Sequence, residues 1–258
     1  MSGGETSTMR PGSDTRRTAD EWTPVPLPCY RWSMFGMTLL DGLAFGYFAL
    51  AWAAYAWLVE VWGGHRRGLT ATMAEYRQRW MAEMLVRPNR IVDTQINMTL
   101  QQGSSFFAST SLLAVGACLG LINASDRALE VMQALSFGHA GSRQQWEIKL
   151  AGLMVIFVYA FFKFGWAYRL FNYCAILIGA TPEGDRRHSE EAEAMAARAA
   201  RMNTIAAAHF NRGQRAFFFA LGYLGWFAGP AVFMVATTAV FAVLYRRQFY
   251  SESRQSVI

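Results

Sequence analysis

Residues 88–122, "PNRIVDTQINMTLQQGSSFFASTSLLAVGACLGLI", open with charged and amide side chains and end in a run that hydrocarbon would accept. Either a soluble amphipathic helix leads into a separate anchor, or one helix begins in the headgroup layer and continues across the bilayer. The second reading is favoured by the spacing of Arg90, Thr94, Asn97, Gln101, Ser104, Ala108 and Ser111, which recur on one side of a continuous helix. Along that stripe polar heads give way to small residues, the pattern of a span that packs closely on a neighbour. Asp93 lies beside it, with Arg90 or an arginine from another loop as its expected partner. Two readings stand: a packing seam, or the lining of a ligand or transport path.

Three further blocks are as apolar. They are 36–62, 148–171 and 216–245, and with 104–122 each meets the roughly 20 residues that a helix needs to cross hydrocarbon. The chain of 258 residues is 53% hydrophobic and 15% aromatic, with only 16% charged residues, too apolar for an ordinary soluble domain. No connecting segment shows the alternation of an outer-membrane barrel. The expected fold is therefore all-α, an integral membrane bundle of four transmembrane helices over 34–248, with amphipathic cytoplasmic helices between them. Residues 1–33, rich in Ser, Thr, Gly and Pro, form an expected tail, and 249–258 a second, shorter one.

The formal net charge of +6 is unevenly placed. Loops 62–103 and 172–215 are arginine-rich, whereas 123–147 balances Arg127 and Arg143 against Asp126, Glu130 and Glu147. The positive-inside rule puts both long loops in the cytoplasm and both termini on the opposite face. Arg31 and the pair Arg246–Arg247 oppose this arrangement. Membrane topology accounts for the arginines, so no nucleic-acid partner is expected; anionic lipid headgroups at the cytoplasmic face are.

Within the first long loop, "GLTATMAEYRQRWMAEMLV" (68–86) places Met73, Tyr76, Trp80 and Met84 on one face, fit either to lie on the membrane surface or to pack against the following segment. The second holds "SEEAEAMAARAARMNTIAAAHF" (189–210), a strong helix former with Ser189 as its cap and alanines for close packing. Loop 123–147 is expected to hold one or two helical turns and a Gly-rich reversal. Gly229-Pro230 should bend the last span.

Lys163 and Arg169, with Asn172 beside Arg169, lie in or near the apolar layer of 148–171, where a charge is paired, snorkelled or functional. Depth makes Glu60 a better match for them than Asp41, which belongs near the other face. His209, Arg212 and Arg215 mark the start of the last apolar block; they suit lipid headgroups, or a cytoplasmic site shared with Asp93 and Asn97. Cys29, Cys118 and Cys174 form no C-x-x-C pair. His65, His139, His188 and His209 are all in loops and are not spaced as a zinc or haem site, so no cofactor and no metal are expected, and no catalytic constellation appears.

Taken together, "NRIVDTQINMTLQQGSSFFASTSLL", "FFKFGWAYRLFNYCAILIGATP" and "FNRGQRAFFFALGYLGWFAGP" resemble the bacterial and plant membrane proteins grouped as the domain of unknown function 599 family, over roughly residues 37–248. Asn89, Arg90, Asp93, Ser109, Thr110, Lys163, Trp166, Arg169, Asn172, Gly179, Asn211, Arg212, Gly213 and Arg215 carry the resemblance. It implies a multi-span membrane protein and assigns no catalytic or binding role. The functional expectation is a non-catalytic protein of the bacterial inner membrane. It would act as a structural or assembly subunit, as a homo-oligomer or within a larger complex. The alternative is a small oligomeric transporter or channel for an anionic solute.

Overall fold

A computed structural model describes residues 37–62, 68–134 and 142–250. The expected tail 1–33 with Arg31 and Cys29, the histidines at 65 and 139, the Gly-rich reversal and residues 251–258 lie outside them. Seven α-helices are described: α1 Leu39–Trp57, extended by a π-helical turn Leu58–Trp62, then α2 Leu69–Val86, α3 Ile91–Asn123, α4 Ser125–Ala134, α5 Arg143–Ala180, α6 Glu190–Leu224 and α7 Pro230–Phe249. The fold is all-α, and α1, α3, α5 and α7 are long and apolar enough to cross a membrane.

The helix starts follow from local chemistry. Thr38 and Asp41 cap α1 reciprocally, Ser142 and Gln145 do the same for α5, and the Ser189 hydroxyl accepts from the Ala192 N–H at the start of α6, as its sequence predicts. Large apolar side chains such as Leu50, Leu113, Phe162 and Val235 are left facing outward, where lipid rather than water is their natural solvent.

The described helices join two levels. At one, Asp41 accepts from the Trp226 indole N–H at 2.8 Å, and the Lys149 ammonium donates to the Trp226 carbonyl at 3.0 Å. At the other, Glu60 pairs with Arg212 and Arg215. The helical rise from Asp41 to Glu60 is about 28 Å, close to the roughly 30 Å of hydrocarbon. Between the levels the core is aromatic: Phe48 and Trp52 of α1 pack on Phe219 of α6, and Phe48 also meets Tyr223 and Phe233. Helices α3 and α5, with 33 and 38 residues, span about 50 and 57 Å. They therefore run on beyond the bilayer and pack there with α2 and the first half of α6.

One expected span is not a single helix. The block 216–245 divides: α6 ends at Leu224, a 3₁₀ turn covers Gly225–Ala228, and Gly229 takes φ +128°, open to glycine but strained for any side chain. Pro230 then starts α7, where its missing N–H costs nothing. Gly229-Pro230 thus reverses the chain instead of bending it. A β-carbon on Gly222 would touch Val240 and one on Gly225 would touch Ala236, so α7 runs back along α6 in close contact. The amide of Gln248 donates to the Thr70 hydroxyl at 3.1 Å. This corrects the expectation for the C-terminal side alone: α7 ends on the loop face, so Arg246–Arg247 no longer oppose the charge rule, while α1 begins at the level opposite the long loops, as expected.

The face of α2 is also corrected. Met84 is buried and Trp80 half-buried, but Met73 and Tyr76 remain 36% and 41% exposed. The buried side runs through Arg77, Met81 and Met84, against Ile178 of α5 and the alanines 196, 199 and 200 of α6. The apolar side of α2 is thus packed on α5 and α6 rather than on the segment that follows it.

Candidate functional site

The polar stripe of α3 is a seam within one chain. Asn97, Ser104, Ser111 and Cys118 are all buried and recur every seven residues, the period that keeps one helix edge against a partner along its length. That partner is chiefly α5. The Asn97 amide donates to the Phe171 carbonyl at 2.8 Å, and Gln101 donates to Asn172 at 2.6 Å. Ser104 and Ser111 return their hydroxyl protons to the Leu100 and Phe107 carbonyls of their own helix, which leaves small surfaces for close approach. Of the two readings of the stripe, the packing seam is the one seen, and it is occupied inside one chain.

Asp93, 0% exposed, takes its partners from the α2 end of the same loop: the Trp80 indole donates to Oδ1 at 2.7 Å, and Arg87 pairs with the same oxygen. Neither Arg90 nor the second loop supplies the pair. Arg90 instead donates to the carbonyls of Ile178, Thr181 and Pro182, with Glu183 at 3.3 Å. A cation on the unpaired carbonyls of a helix C-terminus is favourable through both hydrogen bonds and dipole. Arg90 thus fastens the end of α5 to the start of α3.

Lys163 and Arg169 do not meet Glu60. Phe164 packs on Gly213, so Lys163 lies at the depth of Arg212 rather than in the middle of the bilayer, its ammonium 5.1 Å from the Tyr159 ring centroid. Arg169 is exposed, donates to the Tyr173 hydroxyl at 2.6 Å and lies over the Trp166 and Tyr173 rings. His209 is half-buried against Trp166, its Nδ1 without a partner among the described residues. These three side chains thus meet aromatic rings, Tyr159, Trp166 and Tyr173, away from Glu60.

Arg212 and Arg215 face elsewhere. Both Glu60 carboxylate oxygens accept from Arg212, at 3.0 and 3.1 Å, and Arg215 adds a bond to Oε1 at 2.6 Å. They line a cavity of about 620 Å³ between the end of α1 and helices α2, α6 and α7, within the usual ligand range of ≈ 300–1,000 Å³. Arg77 and Arg247 line it too, so among the described residues four guanidinium groups share it with one carboxylate. Arg215 is only 9% exposed, yet its Nη1 has no partner among the described residues. Burial holds the Arg77 guanidinium below its usual pKa without making it neutral. Arg77 donates through Nε to Asn203 at 2.9 Å, and Asn203 donates to Asn97 at 3.3 Å. The α3 seam therefore supports the cavity through two amides; Asp93 and Asn97 do not line it.

Sequence reasoning missed Arg77 and Arg247 as site residues. The spacing 77, 81, 84 was the signal for the first. For the second it was the conflict of Arg246–Arg247 with the charge rule, which treating Gly229-Pro230 as a helix stop removes.

No curated protein and no solved structure matches the chain. The model of the family described as "Protein of unknown function, DUF599" matches residues 43–253. With that match covering most of the sequence, and the multi-span helical fold in agreement with it, the chain belongs to the DUF599 family.

Proposed function

We propose that this protein binds an anionic ligand at the cytoplasmic face of a bacterial inner membrane, in the cavity between α1, α2, α6 and α7. One observation carries the reading: four arginines line one half-open cavity with, among the described residues, a single carboxylate to balance them. Arg215 is buried, Arg77 and Arg212 are half-buried and Arg247 is exposed at the rim; gathering like charges in this way is costly unless an opposite charge joins them. Arginine holds and orients oxyanions but does not exchange protons at neutral pH, so the chemistry is binding, not bond breaking. The cytoplasmic assignment rests on Arg246 and Arg247 joining the arginines of the long loops at one level, while Asp126, Glu130 and Glu147 offset the cations at the other.

Transport receives less support, because the rings of Phe48, Trp52, Phe219 and Tyr223 fill the bundle between the cavity and the far level. A purely structural role accounts for the pairing of Arg212 and Arg215 with Glu60 but leaves Arg247 and the buried Nη1 of Arg215 without a purpose. The test is thermal unfolding of the full chain in mild detergent. Sulfate or citrate should raise the midpoint relative to chloride of equal ionic strength. At a concentration about 100 times Kd the stabilisation is about 2.7 kcal/mol, roughly 5–10 °C for a domain of this size. Arg247→Gln should remove most of that gain. Equal midpoints in all salts would refute the reading.

A further inference from the structure

The cavity is graded along the membrane normal. On each of three helices an apolar lining residue lies on the bilayer side of a charged one: Tyr55 before Glu60 on α1, Phe218 after Arg215 on α6, and Leu244 before Arg247 on α7. These separations of three to five residues are about 4.5–7.5 Å of helical rise. The Tyr55 hydroxyl is already bonded to the Leu244 carbonyl at 3.2 Å, so its ring presents carbon to the space. Val59 and Met73 extend the apolar wall. A ligand that fits this gradient has its charge toward the loops and an apolar body toward the hydrocarbon.

The donors specify the head. Glu60 occupies Nε and Nη2 of Arg212 and one nitrogen of Arg215. Left over are Arg215 Nη1, the Arg77 nitrogens beyond Nε, and Arg247. Among the described residues, four guanidiniums against one carboxylate leave three positive charges uncompensated. A carboxylate or a phosphodiester brings one negative charge and few oxygens, whereas a phosphate monoester brings about −1.5 to −2 and three acceptor oxygens. Three separate guanidinium donors around one space suit the monoester's tetrahedral head.

Building on the anion-binding reading above, we propose that the cavity takes an amphiphile with a phosphate monoester head, held by Arg77, Arg215 and Arg247 while Glu60 keeps Arg212 in place. The full chain, purified in mild detergent, is loaded with equal mole fractions of phosphatidate, phosphatidylglycerol and phosphatidylcholine of the same acyl chains, and retained lipid is counted by native mass spectrometry. Phosphatidate should be retained about tenfold over phosphatidylglycerol, a difference of one extra charge-assisted contact. Arg247→Gln and, separately, Arg77→Gln should abolish that preference, and Arg79→Gln, outside the cavity, should keep it. Equal retention of the two anionic lipids, with both above phosphatidylcholine, overturns the monoester head and leaves anion binding standing. Glycerol 3-phosphate or inorganic phosphate displacing phosphatidate at equal concentration overturns the apolar body and makes the ligand a soluble phosphate. Retention of no anionic lipid, together with no stabilisation by any anion, removes both readings.

Discussion

Among the described residues Glu60 is the one carboxylate that shares the cavity with four arginines, and its removal should be felt twice. Glu60→Gln leaves Arg212 and the buried Arg215 without a counter-charge. A fully buried pair broken in this way costs about 3–5 kcal/mol; Glu60 is 42% exposed, so a loss of about 1–2 kcal/mol is expected on thermal unfolding. An added anion should restore more stability to this variant than to the parent, because Arg212 then joins the free donors. Asp93→Ala should cost more, about 2–3 kcal/mol, since it strands Trp80 and Arg87 around a site with no exposure. The polar stripe 90–111 was legible at this scale because helical spacing alone brings its members together. Its partners were not, because Phe171, Asn172 and Asn203 are 71 to 106 residues away along the chain. Arg77 escaped notice for a related reason. On a helix whose apolar residues fill two overlapping stripes, only the neighbour decides which one is inside.

Among the elements, the α3–α5 seam and the α6–α7 reversal carry the clearest expectations. Ser111→Leu forces a large side chain into a position with 0% exposure, and overpacking of this kind costs about 1–3 kcal/mol. The midpoint of unfolding should fall even at dilutions where association is absent, which a face reserved for self-assembly would not require. Gly229→Ala places a β-carbon at φ +128°. Strain of that order is about 1–3 kcal/mol, and a matched Ala228→Gly control should show no comparable loss. Sequence patterning found the four apolar blocks because hydropathy sums over 20 residues. It could not tell a bend from a reversal at Gly229-Pro230, since both begin with a proline that breaks the hydrogen-bond ladder; the positive φ of the preceding glycine decides it.

For the whole molecule, the paths of the helices between the two levels predict which sites share a face. In a Cys29→Ser background, Tyr250→Cys and Glu83→Cys should react with a membrane-impermeant maleimide from one side of sealed vesicles, and Arg127→Cys only from the other. Tyr250 labelling together with Arg127 would refute the α6–α7 reversal. The reversal also bears on how the chain enters the bilayer. The tip between α6 and α7, "GWFAG" (225–229), is free of charge, so it can be drawn through hydrocarbon without shedding a hydration shell. The last turns of α6 are short, carry Arg212 and Arg215 at their base, and face inward on most sides. They have little reason to partition into lipid until Pro230–Phe249 has been synthesised and can accompany them. The arginine cavity, which needs both helices, is therefore among the last parts of the protein to exist: a truncated or stalled chain would reach the membrane by its first three spans with the cavity still open on one side.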